Sequence, residues 1–209
     1  NDSHLHFLSG GHYLLGINLR PALSKEEFVN IIKDYLKGKE GSPSSFDSSR
    51  TLPGQHRWIT GGRWDHELWK DKTLPTKELI DSVTQNTPVF VSRIDGHVGL
   101  ANSKALELAG INKNTPDPEG GLIERNPETD EPTGILKDKA MDLVFNIIPL
   151  PTLEENIEAL KEMILDSPLH ILHIWQEDKG FRKNKILNQA ITHSSGDYLI
   201  FIYADCILH

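Results

Sequence analysis

The stretch "NDSHLHFLSGGH" (residues 1–12) sets His4 and His6 one residue apart. In a β-strand, residues i and i+2 project from the same face, so a strand through residues 2–7 would hold both imidazoles side by side with Leu5 turned away. Two neutral imidazoles so placed can chelate a divalent metal, and zinc takes His nitrogen at about 2.0–2.1 Å. A catalytic zinc lowers the pKa of its bound water from about 15.7 to roughly 7, making hydroxide available to attack a carbonyl at neutral pH. The same spacing suits an ordinary strand face, so the pair by itself leaves both readings open.

Working outward, three segments carry helix signals. In "SKEEFVNIIKDYLKG" Ser24 is the expected cap, Glu27 follows three residues later and Gly38 closes the segment, with Phe28, Ile31, Ile32, Tyr35 and Leu36 on one side. "NSKALELAG" (102–110) opens on a capping Asn and closes on Gly, and "TLEENIEALKEMIL" (152–165) repeats a Thr-x-x-Glu capping box. Short apolar runs at "HRWIT" (56–60), "PVFVSR" (88–93), "LHILHIW" (169–175) and "YLIFIY" (198–203) are expected strands. Strands alternating with helices predict an α/β architecture with parallel strands. "GKEGSPSSFDSSR" (38–50) reads as a surface connection. Trp58, Trp64 and Trp69 are expected to pack in the core, because large aromatics contribute most when buried.

The 209 residues suffice for one sizeable domain or two small ones. With 30 acidic and 22 basic residues the net charge is −8, and no Lys/Arg block runs long enough to track phosphates, so nucleic acid is not an expected partner. No apolar run approaches the roughly 18–20 residues that span a bilayer. The chain therefore reads as soluble, with the cytoplasm the expected compartment. The single Cys206 excludes an internal disulfide and a thiolate-rich zinc cluster.

"DSHLHF", followed by a Gly-rich turn, resembles the first barrel strand of the amidohydrolase superfamily of metal-dependent hydrolases. The resemblance continues in order through "WITGGRWDHELW" (58–69), "LPTKELID" (74–81), "TPVFVSRIDGHVGLANSKALELAGI" (87–111), "TPDPEGGLIERNPETDEPTGILKDKAMDLV" (115–144) and "PTLEENIEAL" (151–160). It is nearest to the subgroup of N-substituted formamide deformylases and D-aminoacylase-like enzymes. It implies a (β/α)8 TIM barrel, a metal at the carboxyl ends of its strands, and hydrolysis of non-peptide amide or formamide C–N bonds in a small N-acyl or N-formyl substrate. His4 and His6 match the first two metal ligands, which implies Zn2+ or another divalent ion. Arg93, Asp95, His97 and Asn102 match polar positions near the substrate. His97 could polarise a carbonyl or hold a carboxylate, or the loop could simply be held by Asx-turn bonds from Asp95 and Asn102. Lys137 and Asp138 in "GILKD" are either groups of the metal site or the exposed first turn of a following helix.

Past Asp166–Pro168 the character changes to a compact strand, helix and strand with the dimensions of one βαβ unit. "HIWQEDKGFRKNKILNQAI" followed by "SSGDYLIFIYADCI" resembles a family 2 glycosyltransferase of the GT-A type, which binds a nucleotide sugar with Mg2+ or Mn2+. Asp178, Arg182, Lys183 and Asp205 match its nucleotide-sugar site, and the family's Asp-x-Asp reads Tyr203-Ala204-Asp205 here. A protonated phenol is a poor ligand for a hard cation. The expected organisation is therefore a partial amidohydrolase barrel over 1–166 and an incomplete Rossmann-like βαβ unit over 167–209. Two such resemblances in one chain suggest a fused or mis-assembled reading frame, and a non-catalytic product carrying remnants of both sites stands as a third reading beside the hydrolase and the transferase. Strand edges left uncovered in either part would favour self-association.

Overall fold

The computed structural model describes residues 16–38, 58–152, 155–157, 161, 192 and 193. The chain divides into two compact units, one of Gly16–Pro151 and one of Asn1–Leu15 with Thr152–His209. In the second unit, Glu155 N donates to Thr152 Oγ1 at 3.2 Å and Thr152 N donates back to the Glu155 carboxylate. This is the reciprocal capping box expected from "TLEE".

The first unit is built on a six-stranded sheet. Its elements run β1 (Ile17–Asn18), α1 (Lys25–Gly38), β2 (Gly61–Trp64), a 3-10 turn (His66–Leu68), α2 (Lys77–Thr84), β3 (Phe90–Arg93), β4 (Val98–Ala101), α3 (Ser103–Leu108), β5 (Gly121–Arg125), β6 (Pro132–Asp138), a second 3-10 turn (Lys139–Met141) and α4 (Asp142–Phe145). The strand order is β1-β2-β3-β4-β6-β5. β1, β2 and β3 pair in parallel, and the crossovers that parallel strands need run through α1 and α2. From β3 onward every pairing is antiparallel. The expectation of parallel strands thus holds for β1, β2 and β3 only. The reason lies in the connections: residues 94–97 and 126–131 are too short to carry a crossover, so each closes a hairpin. "GILKD", for which a helical first turn was one reading, is the end of strand β6.

Each face of the sheet is covered by helices. Along β3, Phe90 joins one core cluster and Val91 the other; along β6, Leu136 and Ile135 divide in the same way. One cluster takes Phe28 and Ile32 of α1 and Ile80 of α2, and the other takes Ala105 and Leu106 of α3 with Met141 and Val144. Period-2 alternation therefore feeds two cores at once, which is why all four residues of β4 are buried.

α1 starts as its sequence predicts, with Glu27 N donating to Ser24 Oγ at 3.1 Å and the Glu27 carboxylate accepting from Leu23 N at 2.8 Å. Phe28 meets Trp69 edge-on at 5.5 Å and Trp64 at 6.3 Å. Both indoles are buried, and each N–H finds a carbonyl: Trp64 Nε1 donates to Val91 O and Trp69 Nε1 to Ala22 O, both at 3.1 Å. Trp58 is half-buried against the second cluster.

Gly61 and Gly62 permit β2 to lie between its neighbours. Their φ angles are +107° and +112°, and a Cβ on Gly62 would meet Ser92 O at 2.7 Å. Gly62→Ala should therefore lower the unfolding free energy by about 2 kcal/mol or more, since backbone strain and backbone overlap add. Urea unfolding followed by tryptophan fluorescence would measure it.

Candidate functional site

Asn102 anchors the segment from which the site is built. Its Oδ1 accepts from Val89 N at 3.0 Å and from Ala105 N at 2.9 Å, so one oxygen both caps α3 and extends the β3 ladder. Its Nδ2 donates to Thr84 Oγ1 and to Thr87 O, each at 2.9 Å. The residue is 0% exposed. A carboxamide with both donors and its oxygen committed in this way holds the fold and does not face a ligand.

From this anchor β3 and β4 run to a hairpin end whose register is Phe90 with Ala101, Val91 with Leu100 and Ser92 with Gly99. At that end lie Arg93, Asp95 and His97. Asp95 Oδ2 accepts from Arg93 Nη1 at 3.1 Å, and Asp95 Oδ1 accepts from His97 N at 3.0 Å, an Asx turn. Gly96 takes φ +75°, the left-handed value that closes the turn.

β6 runs antiparallel to β4 and delivers Asp138 to the same place. Asp138 N donates to His97 O at 2.9 Å, and the His97 Nδ1 to Asp138 Oδ1 distance is 2.8 Å. Asp138 Oδ1 can accept from an Nδ1–H, and that tautomer of the ring leaves Nε2 as an acceptor. Both side chains are open to solvent, 74% for His97 and 56% for Asp138. Asp138 has φ +49°, a conformation that costs a non-glycine residue roughly 1–3 kcal/mol and recurs at functional sites. An imidazole oriented by a carboxylate is the arrangement that moves protons.

Four of the residues singled out in the sequence, Arg93, Asp95, His97 and Asp138, are thus brought to one end of the β3–β4–β6 sheet. Lys137 is not among them. Its Nζ pairs with Glu124 Oε2 at 2.6 Å across β5 and β6, because successive strand residues face opposite sides. Glu124 had no signal in the sequence, since cross-strand partners are set by register. His66, which the sequence offered only inside the "WDHELW" block, is buried between Trp64 and Trp69. His4, His6, Asp178, Arg182, Lys183 and Asp205 lie outside the described residues. Among the described residues no three His, Cys, Asp or Glu side chains converge to hold a metal ion, and no helix is long and apolar enough to cross a membrane.

The sequence model of the amidohydrolase family matches residues 1–196, and the chain belongs to that family. It is 40% identical over 160 residues to protein LONG AFTER FAR-RED 3 of Arabidopsis thaliana, covering 76% of this chain and 24% of that protein. It is 34% identical over 165 residues to the putative amidohydrolase YtcJ of Bacillus subtilis, covering 79% and 28%. Over 94 residues it is 39% identical to an N-substituted formamide deformylase of Arthrobacter pascens, covering 45% of this chain and 17% of that enzyme. The chain therefore spans about a quarter or less of the length of these relatives. An uncharacterized metal-dependent hydrolase from Pyrococcus furiosus superposes with a TM-score of 0.49 at 26% identity, over 78% of this chain and 28% of that one.

Two predictions arise from this geometry. Asn102→Ala should cost about 3 kcal/mol or more, because it orphans the Val89 and Ala105 N–H groups together with a helix cap; chemical denaturation would show it. The second concerns Asp71, whose carboxyl is pulled down to about 2 by the hydrogen bond from Lys25, with Thr73 contributing. A depressed carboxyl pKa stabilises the fold above the ordinary value of 3.8, and the contribution is lost as pH falls towards about 2. Wild type should accordingly exceed Asp71→Asn in stability near neutral pH, and paired denaturation curves should converge as the pH approaches about 2.

Proposed function

We propose that this chain forms part of a metal-dependent hydrolase that cleaves non-peptide C–N bonds in small amide or formamide substrates. The observation that carries the reading is the His97–Asp138 pair at 2.8 Å beside Arg93 and Asp95, in a chain of the amidohydrolase family. In this reading His4 and His6 are the first two ligands of a divalent metal, with zinc the ion suited to imidazole nitrogen. The metal would supply an activated water and polarise the scissile carbonyl. The chain's own residues act around it: Asp138 orients His97, whose Nε2 takes or returns a proton at the substrate nitrogen, and Asp95 holds the Arg93 guanidinium in place. Lys137 serves by fixing β6 against β5 through Glu124, which keeps Asp138 at the strand end. A (β/α)8 barrel is part of this proposal, and the likeness to an N-substituted formamide deformylase supports the choice of bond. A cytoplasmic, small-molecule setting goes with it.

The transferase reading of residues 168–209 draws nothing from the comparisons, and the amidohydrolase match runs through the change near Asp166 as far as residue 196.

Elemental analysis of the purified full chain tests the metal claim. The wild type should retain zinc after dialysis, and His4→Ala with His6→Ala should lose it; equal zinc in both proteins would overturn the assignment. With an N-formyl amine as substrate, His97→Ala should lower kcat by about 10²–10⁴, the usual worth of a positioned acid or base.

A further inference from the structure

Two buried side-chain nitrogens among the described residues have no hydrogen-bond partner, His66 Nδ1 and Arg93 Nε. Such orphans are rare in folded proteins, where burying an unmade hydrogen bond costs about 1–3 kcal/mol. Both belong to the paired ends of β2 and β3. Arg93 is the last residue of β3 and pairs in register with Trp64, the last residue of β2; His66 follows two residues on. Ile94 N donates to Trp64 O at 2.9 Å, which ties the two strand ends together. Arg93 shares the face of Val91, two residues earlier, whose cluster contains Trp64, and the Trp64 ring lies 6.0 Å from the His66 ring. The orphans are therefore both tied to Trp64, Arg93 by strand pairing and His66 by ring contact, at the carboxyl ends of adjacent parallel strands, where open α/β sheets bind ligands.

The chemistry of the pair is selective. Asp95 occupies Arg93 Nη1, which leaves the Nε–Nη2 edge, a planar fork of two parallel donors matched to the two oxygens of a carboxylate. His66 Nε2 stands 3.7 Å from Glu67 Oε1, beyond hydrogen-bond reach, so its tautomer is not fixed by that neighbour and Nδ1 is free to carry the proton as a third donor. We propose that the Nε–Nη2 edge of Arg93, with His66 Nδ1, forms a subsite for the carboxylate of a small-molecule ligand. The subsite needs no metal. It relies on the hydrolase reading only for the identity of that ligand as a substrate.

The test is titration of the metal-free full chain, 15N-labelled, with sodium acetate, reading the Arg93 Nε–Hε and His66 ring resonances. The expected result is a saturable shift of both with acetate, and none with acetamide, its neutral isostere, or with chloride at equal ionic strength. His66→Phe, which keeps a ring between Trp64 and Trp69, should weaken acetate binding about tenfold, the worth of one charge-assisted hydrogen bond. Arg93→Lys keeps the charge, removes the fork and should abolish saturation. A linear response, a response shared with acetamide or chloride, or saturation that survives Arg93→Lys would overturn the proposal. The wild-type arms decide the matter even where a variant unfolds, and loss of zinc binding would leave them unaffected.

Discussion

One buried carboxamide holds the described unit together. Asn102 satisfies the first amide of the β3 ladder, caps α3 and binds the end of α2, all with a side chain that water never reaches. A buried polar group is tolerable only when its hydrogen bonds are made, and here each one joins a different segment. Because Asn102 fixes the open end of the β3–β4 hairpin, it also fixes by register which residues reach the closed end. Arg93, Asp95 and His97 stand where they do for that reason.

The same hairpin divides the sheet. On one side of it the strands are parallel and joined through α1 and α2; on the other they form antiparallel hairpins. The polar residues gather at this division, where β3 ends beside β2 and β4 lies beside β6. Ladders deliver Asp138 to His97 from some 40 residues further along the chain without any motif spanning the two.

Much of this architecture was legible in the sequence. Ser24 with Glu27, Asn102 with Gly110, and Thr152 with Glu155 mark helix ends through bonds within one turn, so local residue type suffices. The burial of Trp64 and Trp69 followed from their size. The resemblance in "RIDGHVGLANS" pointed to Arg93, Asp95 and His97, which the fold does place together. It also grouped Asn102 with them, whereas burial makes that residue an anchor.

What the sequence by itself determined is the family, the helix ends, the strand in "PVFVSR" and the residue types available for chemistry, since these depend on neighbours a few positions apart. The strand expected at 56–60 instead begins at Gly61, with Ile59 making only an isolated bridge to Val89, and those expected at 169–175 and 198–203 lie outside the described residues. Strand direction beyond β3, the pairing of Lys137 with Glu124 and of His97 with Asp138, and the unpartnered nitrogens of His66 and Arg93 were decided by tertiary structure alone. They depend on register and on what each side chain meets across the sheet. A one-residue slip would reverse those facings while leaving the sequence unchanged.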